Sequence, residues 1–174
     1  MNLLMFIDMS FKLKSYILFF VFIGCELTSC SKHEDLDTIT FPSSLEVLVG
    51  EDIFRETQEA RIVHYIDFGC SDCFSELSDW KTFISEYNLK DRDVIFIIKT
   101  DDSKFSEYII KERIGLSNTF IWDRKDDFFS ENIKSYDKSL YTFLLNKKNK
   151  ILKRGNPINS SSLRNRYAEI INGT

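Results

Sequence analysis

Residues 61–73 read Arg61-Ile62-Val63-His64-Tyr65-Ile66-Asp67-Phe68-Gly69-Cys70-Ser71-Asp72-Cys73. The first eight are rich in β-branched and aromatic residues and predict a strand, which Gly69 breaks immediately before Cys70. From Cys73 onward Leu77, Trp80, Ile84 and Tyr87 recur at three- and four-residue intervals, the pattern of one apolar helix face, with Glu76, Asp79 and Lys81 left for solvent. Two cysteines therefore stand two residues apart at a strand-to-helix junction, with the first at the helix N-terminus.

That placement has chemical consequences. Unpaired backbone N–H groups and the positive end of the helix dipole stabilise an anion, so a thiol there ionises more readily. A thiolate is the nucleophile of disulfide exchange, and a second thiol two residues on can attack the mixed disulfide that the first one forms. The expected roles are attack by Cys70 and resolution by Cys73. Ser71 and Asp72 tune the pair; the negative charge of Asp72 opposes the helix effect and favours a more reducing couple. The bland alternative is that both sulfurs are core hydrophobes or an inert bridge.

The N-terminus bears on where such chemistry would take place. Lys12 and Lys14 precede an uncharged apolar run from Tyr16 to Gly24, too short for a mature transmembrane helix and of export-signal length. It leads to Leu27-Thr28-Ser29-Cys30, which resembles a bacterial lipobox, with Cys30 the acylated residue and Ser31-Lys32 opening a polar tether. Cys25, after Phe22-Ile23-Gly24, is the weaker alternative site. The expected organisation is a lipoprotein signal over 1–29, lipidated Cys30 and tether over 30–44, and one domain over 45–174. Removing 1–29 leaves 145 residues, enough for one small core. It also leaves Cys70 and Cys73 as the only sulfurs not committed to lipid. A bridge closing so short a loop removes little chain entropy, so in an exported domain this pair reads as a functional dithiol and not a staple.

A formal net charge of −4 without a basic stripe argues against nucleic acid. Asp101-Asp102 and Asp126-Asp127 lack the glycine and glutamate of a calcium loop and read as solvated loop or helix-start residues. No metal site and no cofactor is expected. Further on, Val94-Ile95-Phe96-Ile97-Ile98 predicts a strand buried on both faces. Phe105 to Arg113 and Phe128 to Ser135 predict helices, and Asn118 to Asp123 a strand between them. Leu140 to Leu145 and Lys150 to Lys153, around Asn146-Lys147-Lys148-Asn149, predict a hairpin; Ser160 to Ile171 predicts a serine-capped closing helix. Alternation of this kind implies an α/β fold with a central mixed sheet and helices on both faces.

The order strand, CxxC, helix, strand, helix, strand, hairpin, helix resembles that of the TlpA-like thioredoxin lipoproteins. Phe41-Pro42, Tyr65-Ile66-Asp67, Leu77 with Trp80-Lys81, and Thr142-Phe143-Leu144-Leu145 leading to Gly155-Asn156-Pro157-Ile158 resemble the Bacteroidetes members of that group. The resemblance spans about residues 40–172. It implies a thioredoxin-like fold, an envelope location facing the periplasm or the cell surface, and thiol-disulfide exchange with exported protein substrates or a thiol electron donor.

Three departures qualify it. Thioredoxins place a cis-proline directly before the strand that here begins Thr142-Phe143-Leu144, where it shapes the substrate groove; this chain has Tyr141, so Tyr141 and Thr142 are the groove candidates and a trans Leu140–Tyr141 bond is expected. Gly69 replaces the usual aromatic residue before the first cysteine. The acid that many thioredoxins bury behind the pair lies further from it in sequence than Asp67 does, which sets a strand-end or loop-capping role ahead of proton acceptance for Asp67, one of the tuning candidates. His64 reads as a satisfied strand histidine. Two other classes remain open: a non-catalytic thioredoxin-fold binding module, and a copper or zinc carrier built on Cys70, Cys73 and His64.

Overall fold

The computed structural model describes residues 38–51, 59–69 and 72–173. Cys25, Cys30 and the rest of the expected export signal lie outside the described residues, as do Cys70 and Ser71.

The strand expected over 61–68 is β2, Arg61–Asp67, and the apolar run after it is β3, Val94–Lys99. They pair in parallel, and β4, Thr119–Trp122, pairs in parallel with β3. The hairpin is present as β5, Thr142–Leu145, and β6, Ile151–Arg154, with β5 antiparallel to β2. Asn146 closes its turn, the side-chain oxygen accepting from Lys148 N at 2.8 Å and Lys150 N at 3.0 Å. An edge strand that the sequence reading missed, β1 at Glu46–Val49, pairs antiparallel with β4. The sheet order is β1-β4-β3-β2-β5-β6. Gly50 is needed where the chain leaves β1: its φ is +87° and a Cβ would sit 2.9 Å from Thr119 Cα.

Four α-helices complete the described residues: α1 at Asp72–Glu86, α2 at Ser103–Tyr108, α3 at Asp127–Asn132 and α4 at Ser161–Asn172. Ser160 caps α4 as expected, accepting from Leu163 N. Two helices differ from their expected bounds. The one predicted over 105–113 is α-helical only to Tyr108 and continues as a wider π-helical turn, Ile109–Ile114, ended by left-handed Gly115. The one predicted over 128–135 stops at Asn132, because Ile133 turns extended and buries its side chain.

Period-two alternation sorts the strands between two cores. Ile62, Ile66, Phe96, Phe120 and Leu144 face α1, α4 and the π-turn, meeting Leu77, Trp80, Phe83, Ile110 and Tyr167. Val63, Tyr65, Ile95, Ile97, Phe143 and Leu145 face the opposite way, meeting Phe128 of α3 with Ile39 and Leu45. Each fully buried large side chain contributes roughly 1.5–3 kcal/mol. Ile39 is only 3% exposed. Its N–H reaches Asn149 O at 2.8 Å, and Thr40 exchanges two 2.8 Å bonds with Asn132. The segment expected as tether over 30–44 is thus packed onto the sheet from Thr38 onward.

The acidic pairs do more than meet solvent. Asp102 caps α2 through Phe105 N at 2.9 Å. Asp126 accepts from Tyr65 Oη at 2.8 Å and Lys99 Nζ at 2.7 Å, and Asp127 from Ser44 Oγ at 2.6 Å.

Candidate active site

The motif follows the C-terminal end of β2, at the edge where the three parallel strands β2, β3 and β4 all end. Ligand sites of open α/β sheets form outside this edge. Phe68 N donates to Lys99 O at 2.8 Å, and the Asp67 carboxylate accepts from Gly69 N at 2.9 Å. Asp67 is exposed and caps this turn, the local role weighed against proton transfer.

Asp72 opens α1 and is exposed, its charge in the first turn. One residue later Cys73 is 2% exposed, and its Sγ donates to the Asp67 carbonyl oxygen. The second sulfur of the motif is thus under the helix, against Ile62, Ile66 and Leu77.

Glu76 corrects the sequence reading, which left it for solvent. It sits one turn beyond Cys73 and one turn before Trp80 and points into the fold, its side chain 31% exposed. Its Oε1 lies 3.0 Å from His64 Nε2 and 3.2 Å from Asn156 Nδ2. The approach to His64 is short but the ring N–H is not aligned for a hydrogen bond, and Nε2 has no other partner. It is a polar contact. Burial by itself would raise the Glu76 pKa, but the contact with His64, with Lys138 and Asn156 further assisting, holds the carboxyl below its ordinary range. The signal for this site was available: residues 73, 76, 77, 80, 83 and 84 form one helical stripe, and a histidine in the middle of an apolar strand needs a polar partner.

His64 is 1% exposed, with Nδ1 2.8 Å from Thr142 Oγ1 and its ring 4.8 Å from that of Trp80, so its strand position is satisfied on the Nδ1 side and only contacted by Glu76 on the other. Thr142 is fully buried behind the motif and faces His64, so it does not line an open groove. Tyr141 is 8% exposed, edge-on to Tyr65 at 5.7 Å and Phe129 at 5.8 Å. The Leu140–Tyr141 bond is trans, as expected for a non-proline residue. Tyr141 N–H donates to Lys138 O at 3.2 Å and Tyr141 O accepts from Tyr65 N at 3.0 Å. The Leu140 carbonyl, which a cis-proline would turn toward a substrate strand, accepts from Arg154 Nε at 2.9 Å.

Beside α1 lies an open cavity of about 260 Å³, bordered by Asp72, Ser75, Glu76 and Asp79, by Lys138 and Ser139 ahead of β5, and by Asn156 after β6. Among the described residues no three His, Cys, Asp or Glu side chains gather closely enough to hold a metal ion. No helix of the described residues is long and apolar enough to cross a membrane.

This sheet and the helices packed on it match solved structures closely enough to assign the fold. The fold is thioredoxin-like. A candidate thiol-disulfide oxidoreductase of Bacteroides vulgatus superposes with a TM-score of 0.55 at 13% identity, covering 79% of this chain and 93% of its own. A secreted thiol-disulfide isomerase of Corynebacterium glutamicum gives 0.51 at 14% identity, over 80% and 95%. StoA of Bacillus subtilis gives 0.50 at 22% identity, over 70% and 95%. No protein-family model matches the sequence, and no curated protein matches it.

Proposed function

We propose that this chain is a thiol-disulfide oxidoreductase of the bacterial envelope, anchored through lipid on Cys30 and acting through Cys70 and Cys73. The observation that carries the reading is the position of Cys73, buried in the first turn of α1 with its sulfur on the Asp67 carbonyl, three residues after the other cysteine. Its burial among apolar side chains and the ionised Glu76 one turn away disfavour a second anion there, which leaves Cys70 as the thiolate. Two of the superposed proteins are described as a thiol-disulfide isomerase and a candidate oxidoreductase, and the first as secreted.

In the reducing direction the Cys70 thiolate attacks one sulfur of a substrate disulfide, forming a mixed disulfide and releasing the other substrate sulfur as thiolate. The Cys73 thiol loses its proton and attacks Cys70 Sγ; the Cys70–Cys73 disulfide forms and the second substrate thiol leaves. Two electrons have passed to the substrate, and an external thiol donor restores the pair. Because the Leu140 and Tyr141 carbonyls are already engaged by Arg154 and Tyr65, an extended substrate finds fewer backbone partners than beside a cis-proline, which favours a dedicated partner over general reductase activity.

Alkylation of the reduced protein near neutral pH should modify Cys70 far faster than Cys73. Cys73→Ser should accumulate mixed disulfides with exported proteins and Cys70→Ser should not. Equal, slow labelling of both residues would sink the redox reading.

A further inference from the structure

Two departures from the thioredoxin pattern, Asp67 at the end of β2 and Gly69 where an aromatic residue is usual, meet in one turn. The Asp67 carboxylate accepts from Gly69 N at 2.9 Å, and Phe68 N donates to Lys99 O at 2.8 Å. These two bonds fix residues 67–69. A Cβ on residue 69 would stand 3.0 Å from Asp67 Oδ1, so the large side chain customary there would push the carboxylate off the amide. Gly69 is not one of the glycines with positive φ. It is the space beside the carboxylate, and not the backbone conformation, that calls for glycine here.

The two polar ends of Asp67 serve opposite faces of the sheet. Alternation along β2 sends its side chain to the side of Val63 and Tyr65, where its charge acts on Lys99, Tyr65 and Tyr141. Cys73 lies on the other side with Ile62 and Ile66, and it is the Asp67 carbonyl oxygen that meets its sulfur. The carboxylate is placed to shape the turn, and the carbonyl to take the hydrogen bond of the thiol. A carbonyl oxygen only accepts, so it stabilises the S–H that donates to it and disfavours a thiolate in the same place.

We infer that Asp67 is a positioning residue for the resolving step: its carboxylate, admitted by Gly69, sets the turn whose carbonyl retains the Cys73 proton until the mixed disulfide has formed. The inference rests on the oxidoreductase reading above and names how that site is regulated. When Cys73 Sγ attacks Cys70 Sγ, the bond between Cys70 and the substrate sulfur breaks. The electron pair goes to that sulfur, and the proton given up by Cys73 passes through solvent to the released thiolate.

The test uses the full chain with Cys70→Ser, and follows the iodoacetamide alkylation of Cys73 across pH by mass spectrometry of the peptide that carries it. The titratable groups of the surrounding elements, Asp72 and Glu76 on α1, His64 on β2, Lys99 on β3 and Tyr141 before β5, are left in place. Asp67→Ala should move the profile to lower pH, with up to about tenfold more thiolate at neutral pH, the worth of one neutral hydrogen bond. A less basic thiolate is a weaker nucleophile, so alkylation at neutral pH should quicken about threefold and the plateau at high pH should not rise. Asp67→Asn keeps an oxygen for Gly69 N without the charge and should leave the profile in place. Gly69→Leu, which crowds the carboxylate, should shift it as Asp67→Ala does. Equal shifts in Asp67→Asn and Asp67→Ala mark the charge and not the turn, and overturn the inference. A plateau that rises without a shift, which marks simple loss of burial, overturns it too, as does an unchanged profile in all three variants. With Cys70 restored, mixed disulfides that form as before in Asp67→Ala, beside an unshifted profile, overturn the inference and leave the redox reading standing. A shifted profile in a chain whose Cys70 forms no mixed disulfide upholds the positioning of Cys73 and overturns the redox reading.

Discussion

Replacing His64 with leucine probes the buried polar network directly. The ring is 1% exposed and holds two partners, Thr142 Oγ1 at 2.8 Å and Glu76 Oε1 at 3.0 Å. Leucine fills much of the same space against Trp80 but offers neither. The Thr142 hydroxyl, fully buried, then has no side-chain partner, at a cost of about 1–3 kcal/mol. Glu76 keeps Asn156 and some solvent, so its loss is smaller, up to about 1 kcal/mol. Urea unfolding should show the variant less stable by about 1–4 kcal/mol with an unchanged slope. The pH dependence separates the two parts. The folded Glu76 pKa is depressed below its ordinary 4.5, so its stabilisation is complete above that value and is lost as pH falls through the folded value. The gap between native protein and His64→Leu should therefore narrow in acid while the Thr142 part persists. A loss below about 1 kcal/mol at neutral pH, or a gap unchanged down to about pH 3, would refute this account of the network.

Tyr141→Pro removes a backbone donor and favours the cis geometry that frees the Leu140 carbonyl, so insulin reduction, which should be weak in the native protein, should rise; vigorous reduction by the native protein would contradict the reading of this groove. Cys30→Ala should release the domain from the membrane fraction or stall it as a precursor, because a diacylated cysteine anchors stably where one chain is marginal; retention with normal signal cleavage would point to Cys25. Tyr167→Phe removes the 2.9 Å hydrogen bond to Gly155 O inside the core and should cost about 1–2 kcal/mol in chemical unfolding, with no change in the alkylation rate of Cys70.

The elements that carry the fold were legible because each has a strong local signal. The 61–68 run, the doubly buried 94–98 run and the serine-capped last helix form where their patterning places them, since periodicity and capping are properties of neighbours in sequence. The short edge strand Glu46–Val49 carries too little pattern of its own and exists through its pairing with β4. The end of the helix at Asn132 is set by a tertiary demand, the burial of Ile133 against the sheet.

The same division runs through the site. A cysteine pair at a strand-to-helix junction and a tyrosine where a proline is customary can both be read along the chain. Glu76 could not be assigned by charge alone. A carboxylate on an amphipathic helix belongs by default to solvent, and only the juxtaposition of α1 with His64 of β2 and Asn156 of the loop after β6 turns it inward. Likewise, only the return of β6 beside β5 brings Arg154 to the Leu140 carbonyl and decides how much backbone the groove can offer. The sequence by itself determined the order of strands and helices from β2 onward and the spacing of the two sulfurs, because those depend on local patterning. The tertiary structure decided which charges are partnered, because that depends on residues some eighty positions apart being brought within hydrogen-bond distance, as Glu76 and Asn156 are.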